Sequence, residues 1–514
     1  MKYSRIEKGG VMSQEEISER FRARRFLEIL EGKLKGFSPG TYAPIVSSII
    51  DSTFGDFKMM SKWPPHYLVH SIEANCAYHR NYRDDELTEK KLINIVNHYT
   101  QYFDPVAKYF LTNADDGIYP FIINMTHQQL YLQNQFGVND IGRSVILFLE
   151  SQYNRSEKLF EEQFGLTYLD WLIIGFGVHA GISNRRPAYI SPSYLLNTKA
   201  ELASEHAVLN FFRVISVTPD EVKRFFNQVR TQIGSKLSPQ LETYIQGIFD
   251  EKPLLKLGND NYLAIHKPLF LKRIAEGIFD LSKSRWPGEF GNEFGKAFER
   301  YAEKLLLHFL PKNSIVTEKN IRKITNEKTC DFIINNHDCL LLIECKGTEY
   351  SSYTATVNAM KHDNSTKKIS NGMEQLYSTA KLIHQNVLNE ILGDTHGKKI
   401  IAIVVTFKQL YLANINWYWE KVISSSIDEK NRHGIENIFE YRPQIFSINE
   451  LEQFLLYSFS YKKSFLNIFK DKLEEDGVFI GDWSNYLELD DQKITMLASS
   501  FDQFVNENFK FVEK

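Results

Sequence analysis

Apolar residues recur at helical spacing through the first half of the chain. The segments with this pattern are residues 14–36, 91–103, 138–153, 157–164 and 219–233. Spacings of three and four residues place apolar side chains on one face of a helix. Stretches rich in proline and glycine, such as residues 38–40, separate these segments. The pattern predicts a mainly α-helical N-terminal region over residues 1–250.

The pattern changes after residue 250. Short apolar runs at 253–257 and 262–265 flank a Gly-Asn-Asp-Asn turn, and this arrangement predicts a β-hairpin. Helical spacing returns over residues 269–281, so the segment 251–289 is expected to form a hairpin and a linker helix. Residues 456–514 are expected to form a helical C-terminal tail.

A second hairpin, between residues 329 and 346, carries charged side chains. Its two apolar runs are separated by polar residues that tolerate turn conformations. With residues 337–338 as the turn, Asp331 lies opposite Glu344, and directly opposed residues share a face of the sheet. Because side chains alternate along a strand, Lys346 lies on that face too. Two carboxylates and an ammonium group are thus expected together on an otherwise apolar strand pair.

These charges are costly on a hydrophobic sheet unless something compensates them. Asp331 and Glu344 would supply the hard oxygen ligands that Mg²⁺ prefers. Such an ion lowers the pKa of a bound water and neutralises charge on a scissile phosphate. Lys346 would position or deprotonate the attacking water, or stabilise the phosphate electrostatically. The alternatives are solvated charges at the end of an edge strand, or a buried Asp–Lys pair without a catalytic role.

The spacing of these residues resembles a known signature. Asp331, twelve intervening residues and then Glu-Cys-Lys at 344–346 are similar to the active-site motif of the PD-(D/E)XK nuclease superfamily. The resemblance covers residues 290–455 and implies a restriction-endonuclease-like core that binds Mg²⁺, with Mn²⁺ expected to substitute, and cuts phosphodiesters. One position departs from the motif, since Cys330 stands where the family often has proline.

The flanking helices extend the resemblance. Residues 292–309 show an amphipathic helical pattern, and the resemblance implies that Glu299 on this helix helps to hold the metal or its waters. A second helix is expected over 372–392, with Gln375 near its start. The resemblance implies that Gln375 faces the substrate or the waters of the metal. A surface Glu299 and a solvated Gln375 are the alternatives.

The remaining patterns complete the expected fold class. Strands are expected near 314–323 and over the apolar run 398–407, with a peripheral strand and helix over 441–454. The prediction is an α/β nuclease core with a mixed sheet, in the order helix, three strands, helix, strand. This core would stand between the large helical N-terminal region and the helical C-terminal tail.

Basic residues occur in segments that are expected to form loops beside the acidic site. They are Lys319, Arg322, Lys323, Lys367 and Lys368. Basic side chains in such loops bind phosphates of a nucleic-acid backbone. Ordinary solvated loops are the alternative for each of them.

Composition limits the class of protein. The chain has 514 residues, more than one core usually supports, and a formal net charge of −3, so any grip on nucleic acid must come from a local patch. Its four cysteines and its N-terminal residues, which lack an apolar signal core, are typical of a cytoplasmic protein. The most apolar segment, 166–182, is too short to span a membrane and is expected to be a buried helix.

The expected function is Mg²⁺-dependent hydrolysis of nucleic acid, with a DNA endonuclease in bacterial restriction or anti-phage defence as the first choice. A nuclease for structured RNA and a non-catalytic nucleic-acid-binding regulator remain alternatives. Residues 1–250 would act as a sensor, a DNA-positioning module or a dimerisation module. Cutting both strands of a duplex favours a homodimer or a higher even-numbered oligomer. A separate ATPase or sensor protein is a further candidate partner.

Overall fold

The computed structural model describes residues 25–80, 84–113, 119–129, 132, 136–197, 203–236, 247–349, 357–476, 482–487 and 494–509. The chain divides into two compact units. Unit 1 comprises Met1–Ile141, Glu157–Leu281 and Phe504–Lys514, and unit 2 comprises Gly142–Ser156 and Ser282–Gln503. This grouping differs from the four consecutive segments expected from the sequence, since the hairpin after residue 250 joins unit 1 and most of the C-terminal tail joins unit 2.

The part of the chain up to residue 285 is built mainly from helices. They are α1 (25–34), α2 (Pro39–Thr53), α3 (Phe57–Lys62), α4 (Pro65–Tyr78), α5 (Glu89–Asn113), α6 (Tyr119–Gln129), α7 (Val138–Ser144), α8 (Ser156–Phe164), α9 (Tyr168–Ile182), α10 (Pro192–Leu196), α11 (Glu205–Ile215), α12 (Pro219–Lys236), α13 (Ile248–Glu251) and α14 (Lys267–Arg285). The helical character expected for this region is confirmed. Residues 14–24 of the first expected helix lie outside the described residues, and the helix expected over 138–153 passes into a π-helical turn at Val145–Leu149.

A small sheet accompanies the helices of unit 1. Its strands are β1 (Tyr189–Ile190), β2 (Ser216–Val217), β3 (Leu254–Lys256) and β4 (Tyr262–Ala264), in the order β1-β4-β3-β2. Strands β3 and β4 form the expected antiparallel hairpin, with Leu254 opposite Ala264. The two-residue strands β1 and β2 were not expected, because two residues carry too little alternation to reveal a strand.

Unit 2 contains a five-stranded mixed sheet. Its strands are β5 (Ile315–Thr317), β6 (Phe332–Asn335), β7 (Cys339–Lys346), β8 (Lys399–Thr406) and β9 (Gln444–Ser447), in the order β5-β6-β7-β8-β9. Strands β5, β6 and β7 pair antiparallel, whereas β7, β8 and β9 pair parallel. Strands β7 and β8 are almost fully buried, as continuous apolar runs predict for central strands covered on both faces.

The helices after residue 286 precede, separate and follow the strands of this sheet along the sequence. They are α15 (Pro287–Phe309), α16 (Glu318–Ile321), α17 (Val357–His362), α18 (Asn364–His384), α19 (Asn389–Leu392), α20 (Asn416–Tyr418), α21 (Glu429–Ile438), α22 (Ile448–Tyr461), α23 (Phe465–Asp476), α24 (Trp483–Tyr486) and α25 (Thr495–Asn508). The order α15, β5, β6, β7, α18, β8 has the expected sequence of element types, and the mixed α/β class is confirmed. The apolar face of α15 is buried at Phe294, Phe298, Tyr301 and Leu305.

Two expected element boundaries are wrong. The strand expected near 314–323 ends at Thr317, where the Thr317 and Asn320 side chains form a capping box that starts α16. The helix expected over 372–392 instead begins at Asn364, because the Asp363 side chain caps its N-terminus, and it ends at His384. Gln375 therefore lies in the middle of α18 rather than near its start.

Two further sequence features can be placed in the structure. The apolar segment near residue 170 forms α9, whose residues are mostly buried. Among the described residues no single helix has the length and hydropathy needed to cross a membrane, although α8 and α9 reach them as a pair bent by 58°. All four cysteines are free and buried.

A buried ion pair within unit 2 joins Arg143 to α22. The Arg143 guanidinium donates from Nε and Nη2 to the two oxygens of Glu452 on α22, at 2.6 and 2.7 Å. The Tyr301 hydroxyl of α15 donates to the same carboxylate. All three side chains are buried, so removing one partner leaves a charge or a polar group without compensation.

We expect Arg143→Met to lower the free energy of unfolding by about 3 kcal/mol, because Glu452 is left as a buried unpaired carboxylate. Adding Glu452→Gln removes that charge and keeps an acceptor for Tyr301, so it should recover about half of the loss. Urea unfolding measures both values. Lys158→Met breaks an exposed pair with Glu162 and should cost less than about 0.5 kcal/mol. Equal losses for Arg143→Met and Lys158→Met would contradict this account.

Candidate active site

The register of the β6–β7 hairpin brings the expected charged residues to one place. Phe332 pairs with Ile343 and Asn335 with Leu340, which is the register expected from a turn at residues 337–338. One step before β6, this register sets Asp331 opposite Glu344. The Asp331 carboxylate accepts a hydrogen bond from the backbone N–H of Cys345 at 2.7 Å, which fixes it against β7.

Glu344 is the most deeply buried charged group of the site, with 1% of its surface exposed. Its Oε1 accepts a hydrogen bond from the Lys346 ammonium. Within the described part of the chain, its Oε2 is buried and accepts no hydrogen bond. Burial, together with the negative charge of Asp331, raises the pKa of Glu344 to about 8 against the opposing charge of Lys346. A buried carboxylate with an unused oxygen needs a proton or a cation at that oxygen.

Asp331 responds to the same surroundings. Burial raises its pKa to about 7, and the charge of Glu299 adds to this effect. The hydrogen bond from Cys345 and the charge of Lys346 oppose the rise without cancelling it. Two neighbouring carboxyl groups with raised pKa values mark a place where negative charge exceeds the compensation that the protein supplies.

Lys346 is held between two acceptors. Its Nζ donates to Glu344 and, at 2.7 Å, to Oε1 of Gln375 on α18. Gln375 is itself oriented by a hydrogen bond from its Nε2 to the Thr329 carbonyl at 3.2 Å. Two of the three donors of the ammonium group are thus used, and 18% of the side chain is exposed. The two hydrogen bonds hold the positive charge of Lys346 beside the buried carboxylate of Glu344.

Gly372 allows α18 to approach the site. A Cβ atom at this position would lie 3.2 Å from Cε of Lys346 and 3.3 Å from Cγ of Glu344. These distances are shorter than ordinary van der Waals contact, so any side chain here would displace the lysine or the glutamate. Gly372 therefore sets the distance at which Gln375, one turn further along α18, reaches Lys346.

Two further glutamates, Glu299 and Glu318, lie near Asp331, Glu344 and Lys346. Much of the surface of Glu299 on α15 is exposed, but partial burial and the charge of Glu318 raise the pKa of its carboxyl, against the opposing charge of Lys346. Glu318 was missed in the sequence because it fell inside an expected strand. Its negative charge raises the pKa values of Asp331, Glu344 and Glu299. The capping-box pattern of Thr317 and Asn320 is the signal that places Glu318 on a helical turn.

The fit to a divalent cation depends on two of the three expected ligands. Among the described residues no group of three or more His, Cys, Asp or Glu side chains is arranged to hold a metal ion, so Glu299 is not brought into a ready three-ligand site with Asp331 and Glu344. Asp331 and Glu344 nevertheless fit such an ion, because the buried Oε2 of Glu344 has no other partner and both pKa values are raised. Mg²⁺ commonly uses only one or two carboxylates and completes its shell with water.

The expected phosphate-binding residues lie at the surface, and most of them lie on helices rather than loops. Lys319 is on α16, and Lys367 and Lys368 are in the early turns of α18. Arg322 pairs with Glu318 at 2.7 Å. Partial burial and the positive charges of Lys283 and Lys346 lower the pKa of Lys368.

Lys319, Lys323 and Lys367 are exposed. In the described ranges these three side chains form no ion pair with the acidic group, so the structure does not bring them to it.

Comparison with known proteins gives no relative. No protein-family model, no curated protein and no solved structure matches the chain. The likeness to the PD-(D/E)XK superfamily therefore depends on the motif residues and on the local geometry around Asp331, Glu344 and Lys346.

Proposed function

We propose that the chain is a Mg²⁺-dependent nuclease of the PD-(D/E)XK type that hydrolyses phosphodiester bonds of DNA. The observation that supports this most is the buried Oε2 of Glu344, which has no hydrogen-bond partner in the described chain and lies beside a second carboxylate and a fixed lysine. The order α15, β5, β6, β7, α18, β8 supports a restriction-endonuclease-like core around it.

Each residue then has a separate task. Asp331 and Glu344 would hold Mg²⁺, or Mn²⁺ in its place, and the ion would supply positive charge to the scissile phosphate. Lys346 directs its remaining donor to the attacking water or to a phosphate oxygen. Gln375 keeps the ammonium in this position, and Glu299 and Glu318 add negative charge that favours a cation.

The proposal extends to the biological setting and the assembly. A nuclease core joined to a large helical unit suits restriction or defence against foreign DNA in the cytoplasm, by analogy of organisation. One such site cuts one strand, so cutting both strands at a fixed offset requires two sites, as in a homodimer or a higher even-numbered oligomer. A separate ATPase or sensor protein remains a candidate partner.

We expect Glu344→Gln and Lys346→Met to abolish metal-dependent cleavage of plasmid DNA, because the first removes a charge that holds the cation and the second removes the fixed ammonium. Asp331→Ala should lose metal binding as well. The matched controls are Glu440→Gln and Lys399→Gln, which change an exposed Glu–Lys pair at the opposite end of β8 and should cleave at wild-type rates. Cleavage by Glu344→Gln at the wild-type rate, with contaminating nuclease excluded, would overturn the assignment of the site.

Metal binding should strengthen as pH rises. The folded-state pKa values of about 7 for Asp331 and about 8 for Glu344 are above the usual carboxyl range. Without metal, protonation of these two groups therefore stabilises the folded state at low pH, and this contribution is lost as pH rises. A cation must displace the same protons. Mg²⁺ at about 100 times Kd stabilises a protein by about 2.7 kcal/mol.

The increase in melting temperature with Mg²⁺ should therefore be larger at about pH 8.5 than at about pH 6. Glu344→Gln should remove most of that difference. An equal or larger increase at the lower pH would contradict the assigned ligands.

Gly372→Ala should separate catalysis from stability. Alanine favours a helix over glycine by about 0.5–1 kcal/mol, which offsets the tight contact, so the melting temperature should change little. Displacement of Lys346 should lower kcat by about tenfold with little change in KM. Gly291→Ala on α15, where a Cβ meets open space, is the control and should retain full activity. A wild-type kcat for Gly372→Ala would show that the close approach of α18 is not required.

A further inference from the structure

A group of lysines lies beside the acidic site around one glutamate. Glu349 follows β7 by three residues, and its carboxylate pairs with Lys283 at 3.0 Å through Oε1 and with Lys408 at 3.0 Å through Oε2. The lysines come from distant parts of the sequence, since Lys283 is in the last turn of α14 and Lys408 follows β8. We call Glu349 together with Lys283 and Lys408 the lysine cluster.

Lys368 on α18 adds a further positive charge near the cluster. Partial burial lowers the pKa of Lys368, and the positive charges of Lys283 and Lys346 lower it further, against the opposing charge of Glu349. Lys368 thus lies within electrostatic reach of both the cluster and the candidate active site. Positive charge is thus in excess around Lys368, whereas negative charge is in excess around Asp331 and Glu344.

The lysine cluster lies at the same end of the five-stranded sheet as the candidate active site. Strands β7 and β8 are parallel and end together, with Lys346 paired with Thr406. The chain leaves β7 toward Glu349 and leaves β8 toward Lys408, and the Lys408 N–H donates to the Thr348 carbonyl at 3.4 Å. The cluster therefore lies at the same end of the sheet as Lys346. Polar groups at the carboxyl ends of parallel strands are where α/β sheets bind ligands.

The bound carboxylate indicates which ligand the lysines accept. Each of the two oxygens of Glu349 receives one ammonium group. Burial would raise the pKa of this carboxyl, but Lys408 and Lys283 outweigh that effect and hold the pKa well below its usual range. Two oxygens that share one negative charge are also the binding group of a phosphodiester. Lysine serves as a point charge for phosphate, without a need for bidentate geometry.

We infer that the lysine cluster binds a backbone phosphate of DNA next to the scissile one, and that Glu349 occupies this place when DNA is absent. The inference rests on the proposed nuclease function and adds a subsite to it. When DNA binds, a phosphate replaces the Glu349 carboxylate between the lysines. Because the ion pairs of Glu349 must be broken first, stronger ion pairs make DNA binding weaker. The glutamate thereby keeps the lysines from holding other anions near the active site.

Equilibrium binding of the full chain to a labelled DNA duplex, in chelator so that no cleavage occurs, tests the inference. Lys283→Gln and Lys408→Gln should each weaken binding roughly three- to tenfold at about 0.1 M salt and reduce the salt slope by about 0.9. Glu349→Gln should tighten binding several-fold. Lys408→Arg keeps the charge and should bind as the wild type does.

Lys399→Gln is the matched control, because this exposed lysine lies at the opposite end of β8 and should leave binding unchanged. Unchanged or weaker binding by Glu349→Gln overturns the inference, as does unchanged binding by both glutamine variants of the cluster lysines. Tighter binding to RNA of matched length, with the same response to the variants, overturns the choice of DNA.

Cleavage is scored separately with Mg²⁺. A chain that binds DNA with this variant pattern and does not cut it refutes the proposed nuclease activity while supporting the phosphate subsite. A chain that cuts DNA while every variant binds equally refutes the subsite alone.

Discussion

A carboxylate that is withdrawn from water requires a proton, a cation or enough hydrogen-bond donors to replace the water it loses. Glu344, at the end of a buried strand, receives one ammonium group at one oxygen and no donor at the other within the described chain. Asp331 lies opposite and adds a second negative charge. The protein compensates this pair only in part, and this raises the pKa of both groups. We propose that a divalent cation supplies that missing charge, and the proposed chemistry follows from it.

The surrounding elements keep the uncompensated charge in a fixed place. Glu344 lies at the end of a strand that is buried beside β8, and the close approach of α18 at Gly372 brings Gln375 to Lys346. Glu299 and Glu318 extend the negative charge. The lysine cluster concentrates positive charge at the same end of the sheet. Both features suit the proposed polynucleotide substrate, because the lysines would attract its phosphates while the cation would contact the scissile group.

The local part of this arrangement could be predicted from the sequence, and the long-range part could not. Alternation along two apolar runs and a two-residue turn determine the register that sets Asp331 opposite Glu344. Glu318 was missed because a single capping box ended a strand early. Lys283 and Lys408 lie far from the motif in sequence, and only folding brings them to Glu349. For the same reason the pairing of Arg143 with Glu452 could not be predicted, and with it the way the chain divides into units.

The central claim is that a cation occupies the place left by the unpaired oxygen of Glu344. Crystals grown with Mn²⁺ test it directly, because anomalous scattering locates the ion independently of any activity. We expect one strong anomalous peak in contact with both Glu344 and Asp331, at the ligand distances of about 2.0–2.2 Å that small divalent cations adopt with oxygen. The same crystals of Glu344→Gln should lack the peak. Wild-type crystals with no peak between the two carboxylates at saturating Mn²⁺ would contradict the account.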